Sequence, residues 1–468
     1  MSDTSSHPTD SAVLRIVTKA GVKRLDGVIG EHARRMRFSG AAGSVLVVPP
    51  LDGAPATALL GLGSEGEHGA AEAALLFGHL PAHLPDGAWR FEPEAGESAP
   101  AIDPTLALFA FRAGAYRFER YKTAARSDDE APTLSVPGAD EAMAAELAEA
   151  VRLVRDLINT PANDLGPAEI ADAARALAER HGAAITVTDG QALREGFPLI
   201  HAVGQASERG PRLVDLVWGA EGAPKVTLVG KGVVFDTGGL DIKPASGMLL
   251  MKKDMGGAAN VLGLAHLVMA RRLPVRLRVL IPTVENAISG TAFRPGDVFP
   301  SRKGKTVEIG NTDAEGRLIL ADALALADEE APDLIVDMAT LTGAARVALG
   351  PDLPPFFTDD EAFAVELADA AVAAADPLWR LPLWKPYKAN LASKIADTNN
   401  VTTDGFAGAV TAALFLQGFV EKAATWVHLD VYGWRPKAGA LGPVGGEAQG
   451  IRALFALIAA RYAKDASR

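Results

Sequence analysis

Two short segments hold most of the residues in this chain that could do chemistry. Residues 311–317 read Asn-Thr-Asp-Ala-Glu-Gly-Arg, so two carboxylates and one guanidinium fall within five residues. Residues 229–254 add two further candidate acids and two candidate lysines among turns rich in glycine. Divalent cations take carboxylate oxygens, and two cations about 3.5–4 Å apart can hold a water together with a substrate oxygen. The two segments together therefore predict a hydrolase site with two metal ions.

The four candidate acids each have an ordinary structural explanation when considered alone. Asp254 precedes an expected helix and could be its N-cap. Asp313 and Glu315 could interact with the dipole of the helix that begins near Arg317. Together with Asp236, however, these acids occur beside glycine-containing turns, whose backbone allows the close approach that an ion cage requires. That combination favours a metal site over four separate structural roles.

The basic residues of the two segments also have two interpretations each. Lys231 ends an expected strand that reads Val-Thr-Leu-Val, where a buried amine is costly unless it is paired or neutral. A salt bridge to Asp236 would satisfy it, and spacing alone favours that interpretation. Next to divalent cations the amine could instead lose its proton and act as a nitrogen ligand. Lys243 and Arg317 could balance the charge of the acids, stabilise an oxyanion or hold an anion.

The elements around these segments predict an α/β fold in which strands and helices alternate from about residue 161. The expected strands are 184–187, 213–218, 226–229, 277–281, 333–338 and 425–429, and the expected helices are 167–181, 256–271, 318–330, 360–375 and 408–423. Strands with such continuous apolar runs predict a mostly parallel central sheet covered by helices on both faces. Sites in these sheets lie at the carboxyl ends of strands, which is where Lys231, Asp236 and Asp313 fall.

At 468 residues the chain is too long for one ordinary core, so we expect more than one domain. The expected parts are a disordered tail (1–12), a small N-terminal α/β domain (13–123), a linker with a connecting helix (124–160) and a larger C-terminal catalytic α/β domain (161–468). The connecting helix carries an apolar stripe at spacings of three and four residues, and Asp140 is its expected cap.

The composition excludes several other classes of protein. The chain has no cysteine, which rules out disulfides, thiolate zinc sites and cysteine nucleophiles. Its formal net charge of −12 argues against general nucleic-acid binding, which needs a basic face. No apolar run is long enough to span a membrane, and the first ten residues do not resemble a signal peptide, so we expect a cytoplasmic protein. The spacings of His-Glu-x-x-His, Gly-x-Ser-x-Gly and phosphate-loop motifs are absent.

Residues 229–257 and 311–317 closely resemble the two signatures of the leucyl aminopeptidase family, the cytosolic two-metal aminopeptidases. Both motifs are long and specific, and the resemblance extends over residues 150–430 through runs such as 157–163 and 337–344. It implies a hexameric exopeptidase that removes N-terminal residues from peptides. It also implies a variable, macro-like N-terminal α/β domain beside the catalytic α/β domain.

The resemblance assigns roles to individual residues. The metal ligands would be one lysine and four acids: Lys231, Asp236, Asp254, Asp313 and Glu315. Lys243 and Arg317 would be catalytic, with a bicarbonate near Arg317 as general base. The substrate side-chain pocket would include Met251, Thr340 and Gly343. A metal-bridged water would attack the scissile carbonyl of a peptide with a free N-terminus, and the cations would be Mn²⁺ or Zn²⁺, with Mg²⁺ also acceptable to these ligands.

Two departures from the family pattern suggest a divergent branch. Thr237 stands where serine is usual, and since both carry a hydroxyl we expect no loss of function. Residues 432–447 differ from the common C-terminal pattern close to the expected substrate pocket, so the preferred N-terminal residue stays open between apolar and broad. Two other functions also stay open, a DNA-binding or regulatory hexamer and a metallohydrolase for non-peptide amides.

Overall fold

The computed structural model describes residues 12–50, 55–93, 101–123 and 131–463. The chain forms two compact units of the predicted α/β class. The smaller comprises Met1–Arg152 with Lys437–Val444, and the larger comprises Leu153–Pro436 with Gly445–Arg468. The expected tail, apart from residue 12, and the part of the expected linker at 124–130 lie outside the described residues.

The N-terminal unit contains a five-stranded sheet with the order β2-β3-β1-β4-β5. Its strands are β1 (Ala12–Val17), β2 (Val45–Val48), β3 (Thr57–Gly61), β4 (Gly87–Phe91) and β5 (Pro132–Ser135). The pairing of β2 with β3 is antiparallel, and the other three pairings are parallel. β5 lies inside the segment expected to be a linker, because its four residues pair with β4 and complete the edge of this sheet.

Among the described residues, four short helices of this unit precede one longer helix in the chain. They are α1 (Lys19–Val22), α2 (Gly27–Arg35), α3 (Ala70–Leu75) and α4 (Pro104–Gly114), with a 3-10 helix at Leu76–Ala82. The longer helix is α5 (Glu141–Asn159), and the carboxylate of Asp140 caps it by accepting a hydrogen bond from Met143 N at 2.9 Å. The predicted apolar stripe of α5 is buried at Leu147, Val151, Val154 and Ile158.

The second unit is organised around a nine-stranded sheet and two small ones. In chain order the strands are β6 (Ala184–Thr188), β7 (Arg212–Trp218), β8 (Lys225–Gly230), β9 (Gly232–Asp236), β10 (Arg276–Asn286), β11 (Val298–Pro300), β12 (Thr306–Glu308), β13 (Leu334–Ala339), β14 (Pro355–Phe357), β15 (Trp379–Arg380), β16 (Thr398–Asn399), β17 (Thr425–Asp430), β18 (Trp434–Arg435) and β19 (Gly445–Gly446). All six strands predicted for this region are present.

The large sheet follows the order β15-β14-β17-β13-β8-β10-β7-β6, and β9 pairs with β10 beyond the end of β8. The central strands β17, β13, β8 and β10 are parallel to one another, while β7 and β6 extend one edge by antiparallel pairing. The parallel centre brings the carboxyl ends of these strands to one edge, which is the position expected for a site.

Helices cover both faces of this sheet. They are α6 (Pro167–His181), α7 (Gly190–Gly196), α8 (Pro198–Gly204), α9 (Ala245–Met248), α10 (Gly256–Ala270), α11 (Gly316–Glu329), α12 (Gly343–Leu349), α13 (Glu361–Ala373), α14 (Gly408–Gln417) and α15 (Ile451–Ala463), with 3-10 helices at Met251–Met255 and Lys385–Leu391. All five predicted helices are present. Across the described ranges, no helix combines the length and apolarity needed to cross a membrane.

One predicted helix is shorter than the sequence indicates. The helix expected at 408–423 ends at Gln417. The backbone N–H groups of Glu421, Lys422 and Ala423 donate to the carboxylate of Asp328 at 2.7–2.9 Å instead of continuing the helix. A tertiary hydrogen-bond acceptor on α11 therefore sets this boundary, and the local sequence does not contain it.

Candidate metal centre

Lys231 occupies the junction between β8 and β9 and is fixed there through its backbone. Its N–H donates to the carbonyl of Met338 on β13 at 3.0 Å, and its own carbonyl accepts from the N–H of Ala258 on α10 at 2.8 Å. Gly257 allows this close approach, because a Cβ at that position would collide with the carbonyl of Met338. Sheet and helix together therefore hold the base of the Lys231 side chain in one place.

The ammonium group of Lys231 lies between two buried carboxylates. Its Nζ is 2.7 Å from Asp254 Oδ2 and 2.9 Å from Glu315 Oε1, and it donates to the carbonyl of Thr340 at 3.0 Å. Burial alone would lower the pKa of Lys231, but the charges of these carboxylates raise it above its ordinary value. The salt bridge to Asp236 that spacing alone favours is replaced by these contacts, since Asp236 pairs with Lys243.

Lys243 reaches the same cluster from the tight turn that follows β9. The two glycines of the turn 237–239 have φ values of +87° and +65°, a region that favours glycine. Lys243 Nζ lies 2.8 Å from Asp236 Oδ2 and forms a second ion pair with Asp313. Burial opposes the charge on this amine, yet the carboxylate of Asp236 raises the pKa of Lys243 overall.

Three of the acids converge on one point. Asp236, Asp313 and Glu315 each offer one oxygen, and these three atoms lie within 4.8 Å of one another. Burial raises the pKa of Asp313 to about 6 and the pKa of Glu315 well above its ordinary value, and the nearby charge of Asp236 adds to both. Carboxylates this close repel one another, so they need positive charge between them.

The oxygens that face the cluster have the character of metal donors. Within the described part of the chain, Asp254 Oδ2, Asp313 Oδ1 and Glu315 Oε1 are buried and make no hydrogen bond of regular geometry, although a lysine ammonium lies within ion-pair distance of each. Buried oxygens of this kind call for a partner, and divalent cations bind such oxygens. The residues present therefore fit a metal centre.

Two of these carboxylates are also oriented by donors on their opposite oxygen. Asp236 Oδ1 accepts from Asn286 Nδ2 and from the N–H of Gly238, both at 2.8 Å. Asp254 Oδ1 accepts from the hydroxyl of Thr340 at 2.8 Å. One oxygen of each acid is therefore held by the protein while the other faces the cluster, an arrangement that is typical of supported metal ligands.

A cleft with a volume of about 470 Å³ opens onto the cluster. Met251, Thr340 and Gly343, the three residues expected to form the substrate pocket, all line it. Of the two residues expected to be catalytic, Lys243 lines the cleft, whereas Arg317 is not among the described lining residues. The structure thus brings the expected site residues to one region, and Arg317 lies beside Glu315 and Asp430 there.

Comparisons with known proteins give the same result over the whole chain. Residues 152–455 match the model of the cytosol aminopeptidase family, catalytic domain, and residues 25–136 match that of the M17 aminopeptidase N-terminal domain. The chain belongs to the cytosol aminopeptidase family. It is therefore a metal-dependent aminopeptidase, an exopeptidase that hydrolyses peptides at the N-terminus, as its sequence predicts.

Relatives of known name and known structure cover nearly all of the aminopeptidase. A probable cytosol aminopeptidase of Syntrophotalea carbinolica is 39% identical over 96% of this chain and 94% of its own length. The crystal structure of the Coxiella burnetii cytosol aminopeptidase shares 44% identity with a TM-score of 0.90 and covers 98% of both chains. The bottromycin maturation enzyme BotP in complex with Mn shares 34% identity with a TM-score of 0.87, over 97% of this chain and 100% of that one.

Arg317 of the aminopeptidase sits near the start of α11 and is directed toward the backbone. Its Nη1 donates to the carbonyl of Asn400 at 2.6 Å, while its Nε makes no hydrogen bond within the described residues. Burial lowers the pKa of Arg317 to about 10, against the opposing charges of Glu315 and Asp430. The side chain therefore remains a cation near neutral pH, and its buried Nε–H group is available to donate a hydrogen bond.

Four polar residues that sequence reasoning missed hold the loops of the aminopeptidase centre together: Asp241, Asn286, Thr312 and Asn400. The N–H of Thr312 donates to Asp241 Oδ2 at 2.8 Å, and the hydroxyl of Thr312 donates to the carbonyl of Gly238 at 2.6 Å. These bonds join the turn after β9 to the loop before α11. Asp241 and Thr312 lie within the segments 229–254 and 311–317. Their capacity for hydrogen bonds could therefore have indicated from the sequence that they join the two loops.

Asn400, from a distant part of the chain, also holds the loop before α11 in place through hydrogen bonds. Its Oδ1 accepts from the N–H of Gly310 at 2.7 Å, and its Nδ2 donates to the carbonyl of Asn311 at 2.8 Å. Asn400 follows β16 and its partners are some ninety residues away. Because the contact depends on the pairing of β16 with β12, no local pattern in the sequence predicts it.

Proposed function

We propose that the aminopeptidase binds two divalent cations through Asp236, Asp254, Asp313, Glu315 and the amine of Lys231, which must lose its proton to act as a ligand. The observation that carries this proposal is the convergence of carboxylate oxygens within 4.8 Å around Asp236, Asp313 and Glu315. Asp254 and Lys231 adjoin that group through the ion pairs of Lys231. We further propose Mn²⁺ or Zn²⁺ as the cations, with Mg²⁺ as a third ion that oxygen ligands accept.

When bound, the cations supply Lewis-acid activation of a water and of the scissile carbonyl. Hydrolysis then requires a hydroxyl on the carbonyl carbon and a proton on the leaving amine. Lys243 is protonated near neutral pH because its pKa is raised, and it lines the cleft, so it can stabilise the negative charge that develops on the carbonyl oxygen. We assign Lys243 this catalytic role.

Arg317 would hold the anion that moves the proton. Its buried Nε has no hydrogen-bond acceptor in the described residues, which fits a small carboxylate-like anion such as bicarbonate. We propose that Arg317 keeps such a general base within reach of the water and the leaving amine. This assignment does not require Arg317 to touch the substrate.

The substrates would be peptides with a free N-terminus and an apolar or broadly variable first residue. Met251 offers an apolar wall, and the space beside Gly343 is open, since a Cβ there would meet no atom within 4 Å. Thr340 lines the same cleft, and its hydroxyl is bonded to Asp254. These three residues would form the pocket for the side chain of the first residue.

Metal analysis combined with two matched substrates tests this function. We expect about two equivalents of metal per chain and hydrolysis of leucyl amide that is lost with a chelator and restored by Mn²⁺ or Zn²⁺. N-acetyl-leucyl amide should not be cleaved, because its terminal nitrogen is blocked. Equal cleavage of both compounds would overturn the aminopeptidase assignment.

Glu315→Gln tests the ligand assignment in the same assay. The variant should lose metal and most of its kcat, because a neutral amide is a weaker ligand than a carboxylate. Glu329→Gln is the matched control, since Glu329 ends the same helix and pairs with Arg302 at the surface. Full metal content and near-normal kcat in Glu315→Gln would show that the centre is elsewhere.

We also propose a cytoplasmic homohexamer: the name of the cytosol aminopeptidase relatives supports the location, and the assembly rests on the family resemblance alone. Light scattering of the purified chain at micromolar concentration tests the assembly, since a hexamer has six times the mass of one chain. A monomer or dimer in this measurement would contradict the proposal, and fractionation of cells would test the location.

A further inference from the structure

The substrate cleft contains a second group of charged residues that the proposed mechanism does not use. Two cations lie over the ring of Tyr432, with Lys253 Nζ 4.6 Å and Arg346 Cζ 5.3 Å from the ring centroid. Arg346 Nη1 also lies 3.4 Å from the Tyr432 hydroxyl. All three residues line the same cleft as Met251, Thr340 and Gly343, the residues expected to form the substrate pocket.

Lys253 is the unusual member of this group because it is inside the protein. The residue is 6% exposed, at the 3-10 helix Met251–Met255, and an ammonium group in such a place needs acceptors. Among the described residues, neither Lys253 nor Arg346 has a carboxylate within 4.0 Å, and the close partner of both is the face of the Tyr432 ring. Ring faces attract cations but do not replace a hydrogen-bond acceptor.

Asp430 also lines the cleft but is already engaged. Its Oδ1 accepts from the N–H groups of Leu341 at 3.0 Å and Thr342 at 3.1 Å, and its Oδ2 accepts from the hydroxyl of Thr342 at 2.6 Å. Its single charge offsets one of the two cations, and most of its lone pairs are taken. This group of residues therefore retains a net positive charge and unused donors.

We propose that Lys253 and Arg346 form a carboxylate-binding subsite in the substrate cleft, with Tyr432 as the surface that holds both cations in place. This inference rests on the proposed aminopeptidase function and specifies its substrate class. The carboxylate can come from the side chain of an acidic N-terminal residue or from the free C-terminus of a dipeptide. An arginine and a lysine suit both sources, since a guanidinium can hold a carboxylate by two bonds and an ammonium adds a third donor.

The subsite also gives a physical meaning to the divergent segment 432–447. Tyr432 opens that segment, directly after β17 and Val431, and brings an aromatic ring to the cleft wall. The ring lies within cation–π range of both cations, so it is their shared neighbour. Tyr432 thus belongs to the segment that departs from the family pattern, and it contacts the charges that we assign to substrate selection.

The test compares pairs of substrates that differ in one carboxylate. The first pair is glutamyl amide against glutaminyl amide, and the second is leucyl-leucine against leucyl-leucine amide. For each pair the ratio of kcat/KM values is measured in the wild type, in Arg346→Gln and in the charge-keeping variant Arg346→Lys. A ratio cancels any change in overall activity that a substitution in the cleft causes.

We expect one of the two wild-type ratios to favour the carboxylate and to fall roughly tenfold in Arg346→Gln, because a charge-assisted hydrogen bond is lost. Arg346→Lys should keep most of the preference. A fall in the first ratio identifies the side-chain carboxylate, and a fall in the second identifies the C-terminus. If neither ratio changes while leucyl amide is still hydrolysed, the subsite proposal is wrong and the aminopeptidase function stands.

Two further measurements keep the result independent of turnover and of net charge. Calorimetric binding of glutamate against glutamine should show the same loss of preference in Arg346→Gln and in Lys253→Met, with metal content recorded for Lys253→Met because its neighbour is Asp254. Equal binding of both amino acids by the wild type and both variants would overturn the side-chain source of the carboxylate even in an inactive preparation, and an unchanged leucyl-leucine ratio would then overturn the subsite. Arg272→Gln is the matched charge control, since Arg272 lies just beyond the far end of α10, about 22 Å along the helix from the centre.

Discussion

Gly316 lies directly against the side chain of Lys231, so closely that a Cβ at position 316 would overlap the Cε and Nζ atoms of the lysine. Lys231 reaches Asp254 and Glu315 only because this first residue of α11 has no side chain. We expect Gly316→Ala to displace the lysine and to lower metal affinity and kcat by roughly tenfold or more, as is typical for the support of metal ligands. Metal titration and steady-state kinetics would measure both.

Gly290→Ala is the control for that substitution. A Cβ at Gly290 would meet no atom within 4 Å, and its backbone does not lie in the left-handed region. The variant should bind metal and hydrolyse leucyl amide as the wild type does. If Gly316→Ala behaved like this control, the position of Lys231 would not depend on the glycine.

Asn400 should matter for the centre although it touches none of the proposed ligands. Asn400→Ala removes the acceptor of Gly310 N and the donor to Asn311 O, and each buried group left unpaired costs about 1–3 kcal/mol. We expect a lower free energy of unfolding in urea and weaker metal binding, because the loop before α11 loses its support. The exposed Asn390→Ala should change neither quantity, and equal effects of the two substitutions would refute the role of Asn400.

Asp322 should make stability fall as the pH rises toward neutrality. Its buried carboxylate accepts from the N–H groups of Leu199 and Arg302 at 2.8 Å, yet burial outweighs these donors and raises the pKa of Asp322 to about 7. The unfolded carboxyl titrates near about 4, so the folded state binds more protons between about pH 4 and 7 and loses stability as they dissociate. Asp322→Asn should flatten this part of the curve of unfolding free energy against pH, and an unchanged slope would contradict the assignment.

Glu447 should have the opposite effect on stability, which it should lower as the pH falls. Its Oε2 lies 3.0 Å from Arg155 Nη2 and 2.6 Å from Arg435 Nε. Burial alone would raise the pKa of Glu447, but the two guanidinium groups lower it overall. This ion pair therefore stabilises the fold above the ordinary glutamate pKa of about 4.3, and the stabilisation is lost as the pH falls through the lower folded pKa.

Replacing Glu447 by glutamine should cost about 3 kcal/mol at neutral pH, because the buried ion pair between Arg155 and Glu447 is broken. The variant should also lose less stability than the wild type when the solution is acidified. Glu361→Gln, which removes an exposed partner of Arg380, should change the urea midpoint very little. Indistinguishable midpoints for the two variants would show that the buried pair does not stabilise the fold.

The sequence predicts the large sheet well because each of its central strands is a buried apolar run that is visible locally. The sequence predicts secondary structure less well where a residue far away in the chain decides the local conformation. β5 falls in a polar stretch and becomes a strand through β4. α14 stops at Gln417, and the N–H groups of residues 421–423, which were expected to continue it, donate to Asp328. Within the centre, the acids were identifiable by type and spacing.

The sequence does not predict which lysine pairs with which acid in the centre, because these contacts also join distant segments of the chain. Spacing along the chain favours Asp236 as the partner of Lys231, whereas the parallel strands and α10 place Lys231 beside Asp254 and Glu315. The side chain of Asn400 and the cations around Tyr432 likewise depend on contacts between segments that are far apart in the chain. Residue types therefore indicate the chemistry, while the tertiary fold decides which groups meet.

Lys231 and Lys243 each bridge two of the four acids, so the protein brings its own counter-ions to a place that would otherwise force like charges together. A cation that binds these oxygens must therefore displace the ammonium groups from them. The two lysines thus set part of the free energy of metal binding.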